Sequence, residues 1–161
     1  MDKIAWCSKQ KSGIVLIEPN DNLSTEYLKS SDNDIDAMEN TKDKWQNITA
    51  YYACYEGLYA VMQKIGIKCE IHDCTIALMK VTGMFTEEQI KFIHELKDER
   101  INVQYYLKAP NPINFVKVKE FVLHCKEIIS KLSEDDIKSI RENLLKKTAK
   151  KNSMQSAKSR I

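Results

Sequence analysis

Between Lys42 and Ile65 the residues Trp45, Ile48, Tyr52, Tyr55, Tyr59, Met62 and Ile65 recur at steps of three and four, the spacing that keeps side chains on one face of an α-helix. Ala50, Ala53, Gly57 and Ala60 form a second stripe, small enough to let a neighbouring backbone approach closely. A helix that is apolar or small on two faces is covered on most sides, so this segment predicts the central helix of a bundle.

Similar spacing predicts the helices around it. Phe115, Val118, Val122, Cys125, Ile129 and Leu132 follow Asn111-Pro112, which reads as a cap with proline at the first helical position. Thr86 with Gln89 forms a capping box ahead of Ile90, Ile93 and Leu96. Ser133 opens a further helix whose Glu134, Asp135 and Asp136 complement the positive end of its dipole. Asp21-Asn22 start one through Leu23, Tyr27, Ile35 and Met38, and Asp73 is expected to cap a short one ending at Gly83. Only Gly13 to Ile17 reads as extended. The expected fold is all-α, an antiparallel up-down bundle of five to six helices. An N-terminal arm (1–20) precedes the bundle (21–145), and a basic, flexible tail (146–161) follows it.

Composition narrows the function classes. The chain of 161 residues is sized for one domain, and only four Gly and three Pro exclude fibrous and linker-like compositions. No run approaches the roughly 18 unbroken apolar residues of a membrane span, so no membrane partner is expected. Met1 to Cys7 lack the basic start and apolar run of a secretion signal, which predicts a cytoplasmic protein. Five cysteines scattered through helical patterns predict reduced thiols rather than a disulfide framework. Cys69, His72, Cys74 and the pair His124-Cys125 match no usual zinc spacing, so neither a metal nor another cofactor is expected. The net charge of +2 conceals an asymmetry: from Asn143 onward there are basic residues and no acid, whereas the rest of the chain is net negative. Any nonspecific attraction to nucleic acid would therefore lie in the tail.

One residue breaks the pattern. In the helix opened by Thr86 the stripe Ile93, Leu96, Val103 and Leu107 requires an apolar side chain at position 100, where Arg100 stands. A buried guanidinium must meet an acid, reach water, or face a site where a ligand or a second subunit supplies the counter-charge. Asp98, Glu99 and Glu56 are the acids within reach by sequence. Asn102 and Tyr106 share a face at i and i+4, whereas positions 100 and 105 are about 140° apart around a regular helix.

The run Asp98-Glu99-Arg100-Ile101-Asn102-Val103-Gln104-Tyr105-Tyr106 resembles the signature of HEPN domains (higher eukaryotes and prokaryotes nucleotide-binding), where an Arg is followed after four to six residues by His. Lys44 to Ala60, with the connection Ile65-Gly66-Ile67-Lys68-Cys69-Glu70-Ile71-His72-Asp73, is similar to the aromatic helix and connection of the branch encoded beside small nucleotidyltransferases. The resemblance spans roughly Asn22 to Leu132. It implies a helical bundle that forms a homodimer, with the Arg motifs of both subunits lining a shared cleft. In active members that cleft is a metal-independent endoribonuclease, in which the Arg holds the scissile phosphate and the His helps the ribose 2′-hydroxyl attack. Here Tyr105, followed by Tyr106, stands where the motif His would fall. A tyrosine, with a pKa of about 10, is a poor proton acceptor at neutral pH.

Three readings follow. In the first, favoured by the missing His, the chain is a nucleotide- or RNA-binding module. It partners a nucleotidyltransferase in a toxin–antitoxin-type pair, and Arg100, Asn102, Tyr105 and Tyr106 hold the ligand. In the second it is an endoribonuclease toxin acting at a dimer-interface cleft, with Arg100, Tyr105 and His72 as catalytic residues. In the third it is a purely structural helical dimer.

Overall fold

A computed structural model describes residues 2–158, with side chains through residue 149. Among the described residues there are seven helices and one small sheet: α1 (Lys3–Cys7), β1 (Val15–Leu16), α2 (Asp21–Asn40), α3 (Lys44–Ile65), β2 (Ile67–Lys68), α4 (His72–Thr82), α5 (Glu87–Tyr105), α6 (Phe115–Lys131) and α7 (Glu134–Lys158). The additional helix, α1, lies in the arm, and β1 falls within the segment Gly13 to Ile17 that reads as extended. β1 pairs antiparallel with β2, Val15 opposite Lys68 and Leu16 opposite Ile67.

The central position of α3 follows from its two stripes. From Gly57 to Gln63 every residue is buried, and the helix packs against α2, α5 and α6. On the small stripe, Ser31 Oγ donates to Ala53 O (2.7 Å) and Ser24 Oγ to Ala60 O (2.8 Å). Rising numbers on α2 thus meet falling numbers on α3, and the two helices are antiparallel. A methyl at Gly57 would sit 3.5 Å from Ser31 Oγ and 3.6 Å from Cys125 Sγ, so α2 and α6 both close onto this stripe.

The end of α3 is fastened from afar. Gly66 is in the left-handed region (φ 85°), which glycine adopts without steric cost, and its N–H donates back to Met62 O. Arg141 of α7 donates through Nη1 to the carbonyls of Ile17 (2.7 Å), Ile65 (3.1 Å) and Gly66 (2.8 Å). One side chain therefore satisfies carbonyls that the end of a helix leaves without partners.

Several local expectations change. Thr86 and Gln89 form the expected capping box, and Ser133 and Asp136 bond each other reciprocally. Asn114, not Asn111, caps α6. Asn111 instead donates from its N–H and its Nδ2 to the Glu99 carboxylate, at 2.8 and 3.1 Å. Asp73 does not cap α4: Ile71 holds the cap position without a side-chain bond, and Asp73 pairs with Lys97. Cys7 and Cys74 form a disulfide across 67 residues, which corrects the expectation of reduced thiols throughout. That pairing is set by the docking of α1 on α4, a tertiary contact with no local signature. The backbone of α7 is helical past the expected boundary at 145, and the side chains of residues 150–161 lie outside the described residues. No helix among the described residues is long and apolar enough to cross a membrane.

Candidate functional site

Arg100 lies on α5 against the N-terminal half of α3 and is 9% exposed. Its guanidinium stands over the rings of Tyr51 (4.9 Å) and Tyr52 (5.4 Å), and Nη1 donates to Tyr52 Oη at 3.0 Å. Its buried Nε has no partner. Among the described residues, none of the acids within reach by sequence neutralises it. Glu99 accepts from Asn111 and, at 3.2 Å, from Asn47 Nδ2, which holds the segment after α5 against α3. Glu56 sits beside Asp34, whose pKa is pushed up to about 7 by burial, by the Glu56 charge and by a hydrogen bond to Glu56. Asp98 is exposed.

His72, the first residue of α4, joins the same aromatic wall. Its Nδ1 is 2.7 Å from Tyr51 Oη, and its ring stacks on Tyr55 at 4.0 Å. Burial, together with the positive charge of Arg100, holds its pKa below the ordinary histidine value, and Asp73 opposes this in part. The imidazole is therefore uncharged at neutral pH. Burial holds Tyr51 far above the ordinary phenol range, so its hydroxyl keeps its proton. If Tyr51 donates to Nδ1, the outer nitrogen of His72 carries a proton. In the other tautomer that nitrogen is a free acceptor.

The residues expected at the site are thus brought together unevenly. Arg100 and His72 share Tyr51 and Tyr52 as neighbours, although they come from different helices. Tyr105 is 64% exposed, yet the Arg100 guanidinium lies 5.9 Å from its ring, so the long side chain bends across the separation that a regular helix imposes. Asn102 contributes its backbone carbonyl, which accepts from Lys108 N (3.1 Å). Tyr106 caps the end of α5 at 69% exposure. No contact joins either Asn102 or Tyr106 to Arg100. Tyr51, Tyr55, Lys97 and Asp73 were not anticipated as parts of the site. Tyr51 had a signal in the sequence, since it shares a face with Tyr55 at i and i+4.

One turn beyond Arg100 on α5 a cavity of about 360 Å³ opens, lined by Val103, Leu107, Pro110, Trp45, Lys44 and Lys108. The site therefore combines a buried cation lacking an anion and an uncharged imidazole, and beside it lies a recess whose apolar lining carries Lys44, Lys108 and one acid, Asp43. Among the described residues no three His, Cys, Asp or Glu side chains are grouped to hold a metal ion. Compared with family models, with curated proteins and with solved structures, the chain matches none of them.

Proposed function

We propose that this chain is a HEPN-like module that binds a nucleotide or an RNA phosphodiester at Arg100, as the partner of a nucleotidyltransferase in a toxin–antitoxin-type pair. The observation that carries this reading is the buried guanidinium with an unpartnered Nε and no carboxylate in contact. A cation removed from water costs several kcal/mol unless an anion meets it, and a phosphate supplies both the charge and acceptors for a guanidinium. The neighbouring recess at Val103 and Trp45 has room for more of the ligand than its phosphate. Calorimetric titration of the full chain with AMP, inorganic phosphate and a short single-stranded RNA tests the reading. Binding is expected for the wild type and lost in Arg100→Ala. Equal binding by both proteins, or by neither, refutes it.

One observation favours the endoribonuclease reading as the second choice. The position of the motif His is filled by Tyr105, but His72 reaches the same aromatic wall from α4 and is uncharged at neutral pH, as a general base must be. Cleavage of labelled RNA in the presence of a metal chelator, abolished by both Arg100→Ala and His72→Ala, is the expected signature. Under either reading a second copy of the chain is expected to complete the site, and sedimentation of the wild type measures it.

A further inference from the structure

The disulfide lies next to the site rather than at its edge. Cys74 is two residues beyond His72 on α4, and both half-cystines are fully buried. α4 begins without a side-chain cap, and besides the hydrogen bonds of His72 to Tyr51 and of Thr75 to Tyr55 two stronger links fix its first turn: the Asp73–Lys97 pair to α5, and the covalent Cys74–Cys7 bond to α1. The other end of that second link is weakly self-supporting. α1 has five residues, and isolated helices shorter than about 12–15 residues are marginal in water. It is retained by burial of Ile4 and Ala5 and by the return of the chain at Gly13, where Ile14 N donates to Cys7 O at 3.1 Å. A methyl on Gly13 would collide with that same carbonyl, so the return packs directly on the half-cystine.

The three remaining cysteines do not compete for the bond. Cys54, Cys69 and Cys125 are buried, and burial raises the pKa of each thiol. Thiols held protonated are poor attackers of a disulfide. The Cys7–Cys74 pair therefore exchanges between two defined states instead of scrambling.

We propose that this pair is a redox-sensitive fastening that sets the order of the Arg100–His72 site. Oxidised, the bond holds α1 on α4 and keeps His72 against Tyr51 and Tyr55. When the short α1 lifts away and uncovers the buried bond, a dithiol reductant supplies two electrons and two protons: the S–S bond breaks, Cys7 and Cys74 become thiols, and the reductant closes to its own disulfide. The arm is then released, the first turn of α4 loses its covalent tie and keeps only the Asp73–Lys97 pair and the hydrogen bonds of His72 to Tyr51 and of Thr75 to Tyr55 and Cys69, and the site loses affinity for its anion. The effect on affinity rests on the anion-binding reading given above, whereas the ordering of α4 does not.

The test uses the full chain purified without reductant. Titration of thiols in denaturant is expected to count the three of Cys54, Cys69 and Cys125, with five appearing after dithiothreitol. On reduction the NMR titration of His72 is expected to move up toward the free-histidine range, and the amides of the first turn of α4 to exchange about tenfold faster or more. AMP affinity is expected to fall about fivefold. Cys7→Ser is expected to behave as the reduced wild type. Five thiols before reduction, or identical His72 titration and α4 exchange in both states, overturn the proposal. So does global unfolding on reduction, read by circular dichroism, which makes the bond a stability element only. If the oxidised protein binds no AMP, the anion-binding reading fails, and the His72 titration still decides this one.

Discussion

Replacing Arg100 with Met separates a ligand-binding cation from a structural one. Met keeps much of the length and all of the apolar character of the stem, and removes the charge. In the wild type the guanidinium gains a hydrogen bond to Tyr52, about 1.5–3 kcal/mol for a charged donor, and three ring contacts, with Tyr51, Tyr52 and Tyr105, of about 0.5–1 kcal/mol each. Against this stand an unpartnered buried Nε, costing about 1–3 kcal/mol, and the removal of a cation from water, costing several kcal/mol. The costs match or slightly exceed the gains, so Arg100→Met is expected to leave the unfolding free energy unchanged or to raise it by up to about 2 kcal/mol. Breaking a buried ion pair, by contrast, costs about 3–5 kcal/mol. Urea denaturation followed by circular dichroism measures the difference. A second arm adds AMP, which at 100 times its dissociation constant stabilises a binding protein by about 2.7 kcal/mol. The wild type is expected to show that gain and the variant to lack it. A loss of 3 kcal/mol or more in the variant, with the AMP effect retained, would show that Arg100 has a structural counter-charge and refute the reasoning.

Three further substitutions test the frame around the site. Asp34 has a raised pKa, so the native state binds its proton more tightly than the unfolded state, and its contribution to stability falls as pH rises from about 4 to about 7. The full shift corresponds to about 4 kcal/mol; because Asp34 is only half-buried we expect Asp34→Asn, which can still donate to Glu56, to be more stable than wild type by about 1–2 kcal/mol at pH 8 and equal at pH 4. A thermal-melting difference that is the same at both pH values counts against the carboxyl pair. Gly57→Ala is expected to be neutral or to stabilise by up to about 1 kcal/mol, since its methyl meets Ser31 and Cys125 at ordinary contact distance. Gly66→Ala, at positive φ and against Arg141 and Ile17, is expected to lose about 2 kcal/mol or more, and equal melting temperatures for the two variants would contradict the packing described.

The helices were legible in the sequence because their signals are local. The stripes of α3, the Thr86 box and the Gly83 stop each depend on residues within a turn or two of one another. The same locality explains why Arg100 stood out, since a charge in a 3,4 stripe is visible without knowing what it meets. What it meets was not visible. Glu99 is next to Arg100 in sequence, but its carboxylate is taken by Asn111 and Asn47, and that competition is settled by how the segment after α5 folds back. Asp73 has the sequence signature of a cap, yet Lys97 draws it away across the α4–α5 contact. Cys7 and Cys74 look like two thiols among five until α1 docks. In each case a long-range contact outbids a local one, and local pattern carries no information about the winner.

The distribution of aromatic residues gives a separate reason to read the Arg100 wall as more than core. Phe85 stacks on Phe121 of α6, and Phe92 of α5 meets the same ring at a tilt. From Tyr51 to Tyr59 the rings of α3 are all tyrosines, although phenylalanine would bury as much surface without a hydroxyl to satisfy. Each hydroxyl has a partner: Tyr51 meets His72, Tyr52 meets Arg100, Tyr55 meets Thr75, and Tyr59 meets Cys69 N. A wall built only for apolar contact gains nothing from four such bonds, because removing both partners from a buried hydrogen bond is close to neutral. Two of these hydroxyls, those of Tyr51 and Tyr52, fix instead the positions of one imidazole and one guanidinium. With the tyrosines satisfied, Arg100 Nε is, with Glu56 Oε2 and Gln63 Oε1 of α3, among the buried polar atoms without a partner, and of these it is the donor, so an anion that reaches it displaces no existing bond.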